Sequence, residues 1–285
     1  MEKIEGKVAV VTGATSGLGR WVAEDLAAHR ATTVVVGRSE PRVTAVAQEI
    51  ADQTGNPNVD PFAVTDLALR SEVARLSSAL AAKYPRVDIL VNNAGAYFHR
   101  REVTPEGLER TFALNVLAPF LLTSRLLPSL TRGAPSRVVM VASEAHRGHR
   151  VPFDDLQSER EFGGFRAYGR SKLELVLLTR EFARRCRDTP VTVNAIHPGF
   201  VASGFGRNNG GAVGFGIGLL ARLFGRDVRK AAKDIVFAAA DPSLDRVTGE
   251  YLARRAVRPG SPESRDLGSA QKLFDACTQL GAGFL

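Results

Sequence analysis

The chain has 285 residues, a formal net charge of +8, 44% hydrophobic and 24% charged side chains. That make-up belongs to a folded globular protein large enough for one sizeable α/β domain, and it excludes a disordered or fibrous chain. The basic balance admits nucleic acid, anionic lipid or an anionic cofactor, but the arginines are scattered without an aromatic-interleaved stripe, so no nucleic-acid partner is expected.

Two cysteines, Cys186 and Cys277, lie far apart and lack ligand spacing. Neither a disulfide framework nor a metal site is expected, and a reducing compartment, the cytoplasm, fits. The opening MEKIEGKVAVVTG shows no signal-peptide pattern, and no stretch approaches the roughly 20 apolar residues that span a bilayer.

VAVVTG (8–13) is a short β-branched run ending in glycine and reads as a buried parallel strand. Residues 17–30 read as a helix with Trp21, Val22 and Leu26 at core spacing, followed by a strand at 32–37 and a helix at 41–53. A shorter strand at 58–64, a helix at 69–82 and a strand at 87–93 continue the alternation. A long helix is expected over 105–128 with a kink or break at Pro119, then a strand at 136–143. A further helix runs to about 187, with a strand at 191–199, a helix at 228–240 and a short strand at 249–252. The pattern predicts an α/β fold: one domain over 1–285 built on a doubly wound, parallel seven-stranded sheet with helices on both faces, a Rossmann fold. Residues 256–285 read as a tail packed on or near it, ending in a KLFDACTQL helix.

Between the first strand and first helix lies TGATSGLG, with Gly13, Gly17 and Gly19 around Thr15, Ser16 and Leu18. Glycines there permit a tight turn and close backbone approach, and the helix N-terminus turns free N–H groups toward a pyrophosphate. The spacing is GxxxGxG, so the generic GxGxxG fingerprint is not met; position between strand and helix carries the signal. A cofactor with a free ribose 2′-OH would want an acid at the end of the second strand, where this chain has Gly37 and then Arg38. Arg38 and Arg20 suit a 2′-phosphate, so NADP(H) is expected, with Glu40 the dissenting residue.

Tyr168 and Lys172 stand four apart, which places them on one face of a helix. A phenol near pKa 10 needs lowering by about three units, roughly 4 kcal/mol, to act as a base at neutral pH. One cation about 4 Å away at an effective dielectric near 20 supplies roughly that. The plainer reading is a surface tyrosine beside a solvated lysine.

TGATSGLG, NNAG (92–95), Asn115, Ser143 and Tyr168-xxx-Lys172 occur in this order on the expected elements. Together they closely resemble the short-chain dehydrogenase/reductase family over roughly residues 5–255. More narrowly, FDDLQ, AYGRSKL, VTVNAIHPGFV, LNVLAPFLLT and the final KLFDACTQL resemble its retinol-dehydrogenase-like branch, with Phe274 where tryptophan is common. The membrane-anchoring N-terminal helix of many such enzymes is not expected here. The resemblance implies a hydride-transferring oxidoreductase acting on a lipophilic alcohol/carbonyl pair. Tyr168 would be the general acid in reduction, Ser143 would position the carbonyl oxygen, and Lys172 would lower the phenol pKa and bind the nicotinamide ribose. Asn115 would hold a water that relays protons. Asp66 and Leu67 would meet the adenine, Asn92, Ala94 and Gly95 its ribose side, and Pro198, Gly199, Val201 and Ser203 the nicotinamide end.

Each has a plainer counterpart: Asn115 bonding backbone, Ser143 a turn residue, Asn92 and Asn93 turn formers, Asp66 an N-cap. His146 and His149 are expected to be loop histidines, and His197 structural. Residues 203–226, glycine-rich and apolar from Phe205 to Phe224, are expected as a lid over the substrate, with a subunit interface or core helix as the equal alternative. Weak peripheral membrane contact, helped by Arg222, Arg226 and Arg229, is a minority reading. The rivals to a lipophilic-substrate enzyme are a reductase of a polar or polyketide-like carbonyl and a non-catalytic NADP(H) sensor. A homo-oligomer paired through the two long helices is open.

Overall fold

Valine, isoleucine and threonine fill short runs whose stiff, branched side chains favour the pleated backbone. In the computed structural model, which describes residues 4–201 and 226–285, these runs form one sheet. Its strands are β1 (Val8–Thr12), β2 (Thr32–Gly37), β3 (Val59–Ala63), β4 (Ile89–Asn92), β5 (Ser136–Val141), β6 (Val191–His197), β7 (Tyr251–Ala253) and β8 (Ala256–Arg258). The order across the sheet is β3-β2-β1-β4-β5-β6-β7-β8. All neighbours are parallel except β7 and β8. Pro61 fits within β3 because that strand is an edge, with one side free of ladder bonds.

The helices are α1 (Gly17–Ala28), α2 (Glu40–Thr54), α3 (Arg70–Lys83), α4 (Arg110–Gly133), α5 (Gly164–Arg185), α6 (Val228–Ala240) and α7 (Leu267–Leu280). Alternate strand residues face opposite cores. Val11, Val35, Val139 and Ile196 pack under α1, α2 and α6. Val10, Leu90, Val138 and Val193 pack under α3, α4, α5 and α7. Strand order reverses between β1 and β4, so the crevice beyond their C-terminal ends is where such a sheet takes a ligand.

Eight strands replace the seven expected. The extra one, β8, turns back from β7 through Arg254 and Arg255, both with positive φ (51° and 58°), in a stretch read as tail. Two-residue hairpin turns usually advertise themselves with Asn-Gly or Asp-Gly, and this one does not.

Helix α4 starts later than expected because Pro105 and Gly107 (φ 80°) precede it. Glu109 caps it, accepting from Thr111 N–H (2.7 Å) and Phe112 N–H (2.8 Å). The break falls at Pro119 as expected and takes the form of a π-turn over Ala113–Leu117. Pro119 has no N–H to give to the Asn115 carbonyl four residues back. Contrary to the sequence expectation, α4 is long and apolar enough to cross a bilayer; 72% of its most apolar window is buried inside the protein, as a core helix requires.

Candidate active site

Thr12 ends β1, and its hydroxyl accepts from the N–H groups of Asn93 and Ala94 (both 3.0 Å) at the end of β4. The Asn93 amide donates back to the Thr12 carbonyl at 2.8 Å. This lashing brings the glycine loop against the β4 loop. A Cβ on Gly19 would lie 2.4 Å from both the Gly13 carbonyl oxygen and the Asn93 amide nitrogen, so only glycine fits there. Gly13 and Gly17 take φ of 66° and 54°, the left-handed region open to glycine. Ser16 is exposed and spends no side-chain bond capping α1, whose first turn holds no acid. The N–H groups there are thus available to an anion, and the absence of an acid at Gly37-Arg38 fits a phosphate-bearing dinucleotide.

Across the crevice, Ser143 follows β5, and Tyr168 and Lys172 stand one turn apart on α5. Tyr168 is half-buried and shares a side-chain hydrogen bond with Ser143. Lys172 is buried, its Nζ donating to the Val141 carbonyl (2.9 Å) and lying 5.6 Å from the Tyr168 ring centre. The Tyr97 and Tyr168 rings meet edge to face with their centres 6.3 Å apart. Asn115 projects from the π-turn to the same place. Its Oδ1 accepts from Ala96 N–H (2.9 Å), and its amide donates to the Ala96 carbonyl (2.9 Å) and Ser171 hydroxyl (3.0 Å). Gly95 sits between: a Cβ there would meet Asn115 Oδ1 at 3.2 Å and Lys172 Nζ at 3.4 Å. The sequence-separated Gly95, Asn115, Ser143, Tyr168 and Lys172 therefore converge.

The expected ammonium-lowered phenol is not what the electrostatics give. Withdrawal from water pushes Tyr168 up to about 12, with the Ser143 hydrogen bond pulling the other way. Burial likewise pushes Lys172 down to about 8. Both groups are driven toward their neutral forms, because desolvation disfavours charge on either.

Several other expected contacts are turned elsewhere. Arg20 pairs with Glu49 of α2 (2.9 Å) and lies by Trp21, so Arg38, exposed at the end of β2, stands alone of the expected pair. Arg42, overlooked in the sequence, reaches the Thr15 carbonyl (3.4 Å) from the first turn of α2. Asn92 is buried, its amide donating to Thr123 (3.0 Å) and Met140 (3.3 Å), so its side chain faces the core. Leu18, Leu67 and Val201 are core side chains, leaving only their backbones to face a ligand. Asp66 caps the turn into α3 through Ala68 N–H (2.9 Å) and forms an ion pair with Arg110 (2.5 Å). The Pro198 carbonyl accepts from Arg226 (3.2 Å), and Gly199 follows at φ 94°. Ser203 and the proposed lid, up to residue 225, lie outside the described residues. Residues 201 and 226, on either side of that stretch, pair with each other.

His197 is half-buried and neutral, pushed to about 4 by burial, with Nδ1 accepting from Glu144 N–H (3.3 Å). His146 lies in the short turn after β5, as expected, and is fully buried there. Among the described residues no three His, Cys, Asp or Glu side chains gather as a metal site.

A glycine loop between strand and helix, facing a serine, a tyrosine and a lysine across the crevice, is the arrangement of a dinucleotide-binding fold with a proton donor beside the ligand crevice. The short chain dehydrogenase family model matches residues 7–212, and the chain belongs to that family, in its retinol-dehydrogenase-like branch. It is 34% identical to retinol dehydrogenase 14 of Mus musculus, over 95% of this chain and 85% of that protein. It is 35% identical to a candidate daunorubicin C-13 ketoreductase of Streptomyces sp. (strain C5), over 96% and 92% of the two chains. Among solved structures, a metagenomic short-chain oxidoreductase in complex with NADP superposes with a TM-score of 0.57 at 28% identity, over 69% of this chain and 83% of that one.

Proposed function

We propose that the protein is an NADP(H)-dependent oxidoreductase that interconverts a lipophilic alcohol and its carbonyl compound. The observation carrying this is the convergence of Ser143, Tyr168 and Lys172 at the strand ends beside the glycine loop. A bound nicotinamide would supply or take the hydride. The chain's own residues do the rest. Tyr168, with a phenol near 12, holds its proton at neutral pH and is placed to donate it to a carbonyl oxygen. Ser143 gives that oxygen a second hydrogen-bonding hydroxyl. Lys172, near 8, is mostly charged at neutral pH and would hold the nicotinamide ribose beside the phenol. Pro119 withholds the N–H that an α-helix would give the Asn115 carbonyl, which makes that carbonyl a place for a water that would return the proton.

Preference for the 2′-phosphate is supported by exposed Arg38, by Arg42 at the same corner, and by the NADP-bound relative structure. A lipophilic substrate is supported by the names of the retinol dehydrogenase relatives and by Tyr97 against the catalytic phenol. The ketoreductase relative favours a second reading, a polar or polyketide-like carbonyl. Two buried free cysteines agree with a cytoplasmic enzyme.

The test is consumption of NADPH and NADH against aldehydes and ketones graded in chain length and polarity. Turnover with NADPH that rises with chain length is expected, and Arg38→Asp should shift preference toward NADH by about tenfold or more, the size of one lost charge-assisted contact. Equal use of both cofactors by the unaltered protein would overturn the NADP(H) assignment.

A further inference from the structure

His146 lies three residues past Ser143 and is fully buried. Its Nδ1 is 2.7 Å from the Ser143 carbonyl, and its Nε2 is 3.1 Å from the Ser261 backbone nitrogen. A carbonyl can only accept and an amide N–H can only donate, so one tautomer satisfies both: neutral, with the proton on Nδ1. The ring packs against Tyr251 at 4.8 Å, whose hydroxyl donates to Glu144 (2.8 Å) in the same turn.

On the far side of the imidazole the segment 259–264 is itself held. Arg147 donates to the Pro259 carbonyl (2.9 Å), Ser261 and Ser264 are buried and bonded to each other, and Arg180 of α5 donates to the Ser264 carbonyl (2.8 Å). That segment therefore touches both halves of the site: the turn that carries Ser143 and the helix that carries Tyr168. The Ser143 carbonyl takes two donors from His146, its backbone N–H (3.2 Å) and its ring, which fixes the peptide plane from which the Ser143 hydroxyl projects.

We propose that His146 is a positioning residue for the oxidoreductase reaction, holding Ser143 in register with Tyr168 by anchoring the Ser143 carbonyl to the chain segment around Ser261. The proposal rests on the oxidoreductase reading of the same site. Misplacing a catalytic hydroxyl by a fraction of an ångström lowers the rate of the chemical step without altering cofactor binding.

Three variants separate the two bonds. His146→Asn places an amide N–H near the Nδ1 position but is too short for Ser261. His146→Gln reaches Ser261 with an acceptor oxygen but leaves the Ser143 carbonyl without its side-chain donor. His146→Phe keeps the volume and makes neither bond. With NADPH and the best aldehyde of the panel, Phe and Gln variants should lose about tenfold or more in kcat while KM for NADPH stays within about twofold, and Asn should recover most of kcat. Wild-type kcat in all three, or an Asn variant as slow as Phe, overturns the proposal. Hydrogen exchange of peptides covering 141–150 and 256–266 is read alongside and needs no turnover. Faster exchange in both for Phe, and only in 256–266 for Asn, supports the anchoring; unchanged exchange in 141–150 for Phe overturns it. A protein that consumes no NADPH with any carbonyl would sink the oxidoreductase reading, while the exchange data still decide the role of His146.

Discussion

Lys172→Met separates what the site needs from what the fold needs. Burial lowers this ammonium from 10.5 to about 8. At 1.36 kcal/mol per unit, that corresponds to about 3 kcal/mol of folding stability forgone while the group is charged. Methionine has a similar length and no charge to desolvate. Against that gain, the Val141 carbonyl loses its 2.9 Å partner, which costs about 1–3 kcal/mol for a buried acceptor. The variant should therefore be as stable as the parent at pH 7, or more stable by up to about 2 kcal/mol, while losing turnover. The pH dependence sharpens the test. Between about 8 and 10.5 the unfolded chain binds more protons at Lys172 than the folded one, so this group makes the parent more stable as pH rises through that window. Cys186 and Cys277, whose thiols burial pushes up, act on both proteins and cancel in the difference. Urea unfolding without cofactor at pH 7, 8.5 and 10 should show the parent gaining on the variant by about 2.5 kcal/mol across the series. A constant difference, or a variant less stable by more than about 3 kcal/mol at pH 7, would refute the reasoning.

Thr12→Val keeps shape but takes away the acceptor of the part-buried Ala94 N–H and one of the two acceptors of the Asn93 N–H. A loss of about 1–3 kcal/mol is expected, with weaker NADPH binding by fluorescence titration because the two loops are less tightly lashed together. Phe274→Ala on α7 removes edge contacts to Phe120 (4.9 Å) and Phe182 (5.1 Å) and the Arg185 guanidinium stacked at 3.8 Å. It should cost about 3–5 kcal/mol in urea unfolding; a loss near zero would mean that α7 does not hold the α4–α5 face.

The seven parallel strands could be read in the sequence because each is a β-branched run between helices of clear period, and only β8, three residues long behind a two-arginine turn, escaped. The convergence of Asn115, Ser143, Tyr168 and Lys172 was also legible, since the order of motifs on alternating elements dictates where their ends meet. The direction of the Asn92 side chain could have been read from strand parity: Leu90 faces the core under α4, so Asn92 must too, and Asn93 faces the glycine loop. Leu18 likewise shares the core face of α1 with Val22, one turn on. The pairing of Arg20 with Glu49, the burial of His146 under Ser261, and the desolvation of Tyr168 and Lys172 depend on distant chain segments, which no local pattern reports.

Tyr168→Phe, assayed for NADPH consumption with the best carbonyl of the panel and for NADPH affinity by fluorescence, asks whether the phenolic proton carries the reaction. A general acid is worth about 10²–10⁴ in rate, so kcat should fall by at least about a hundredfold with the dissociation constant for NADPH unchanged. A variant that keeps turnover within about tenfold of the parent would contradict the assignment of Tyr168 as proton donor.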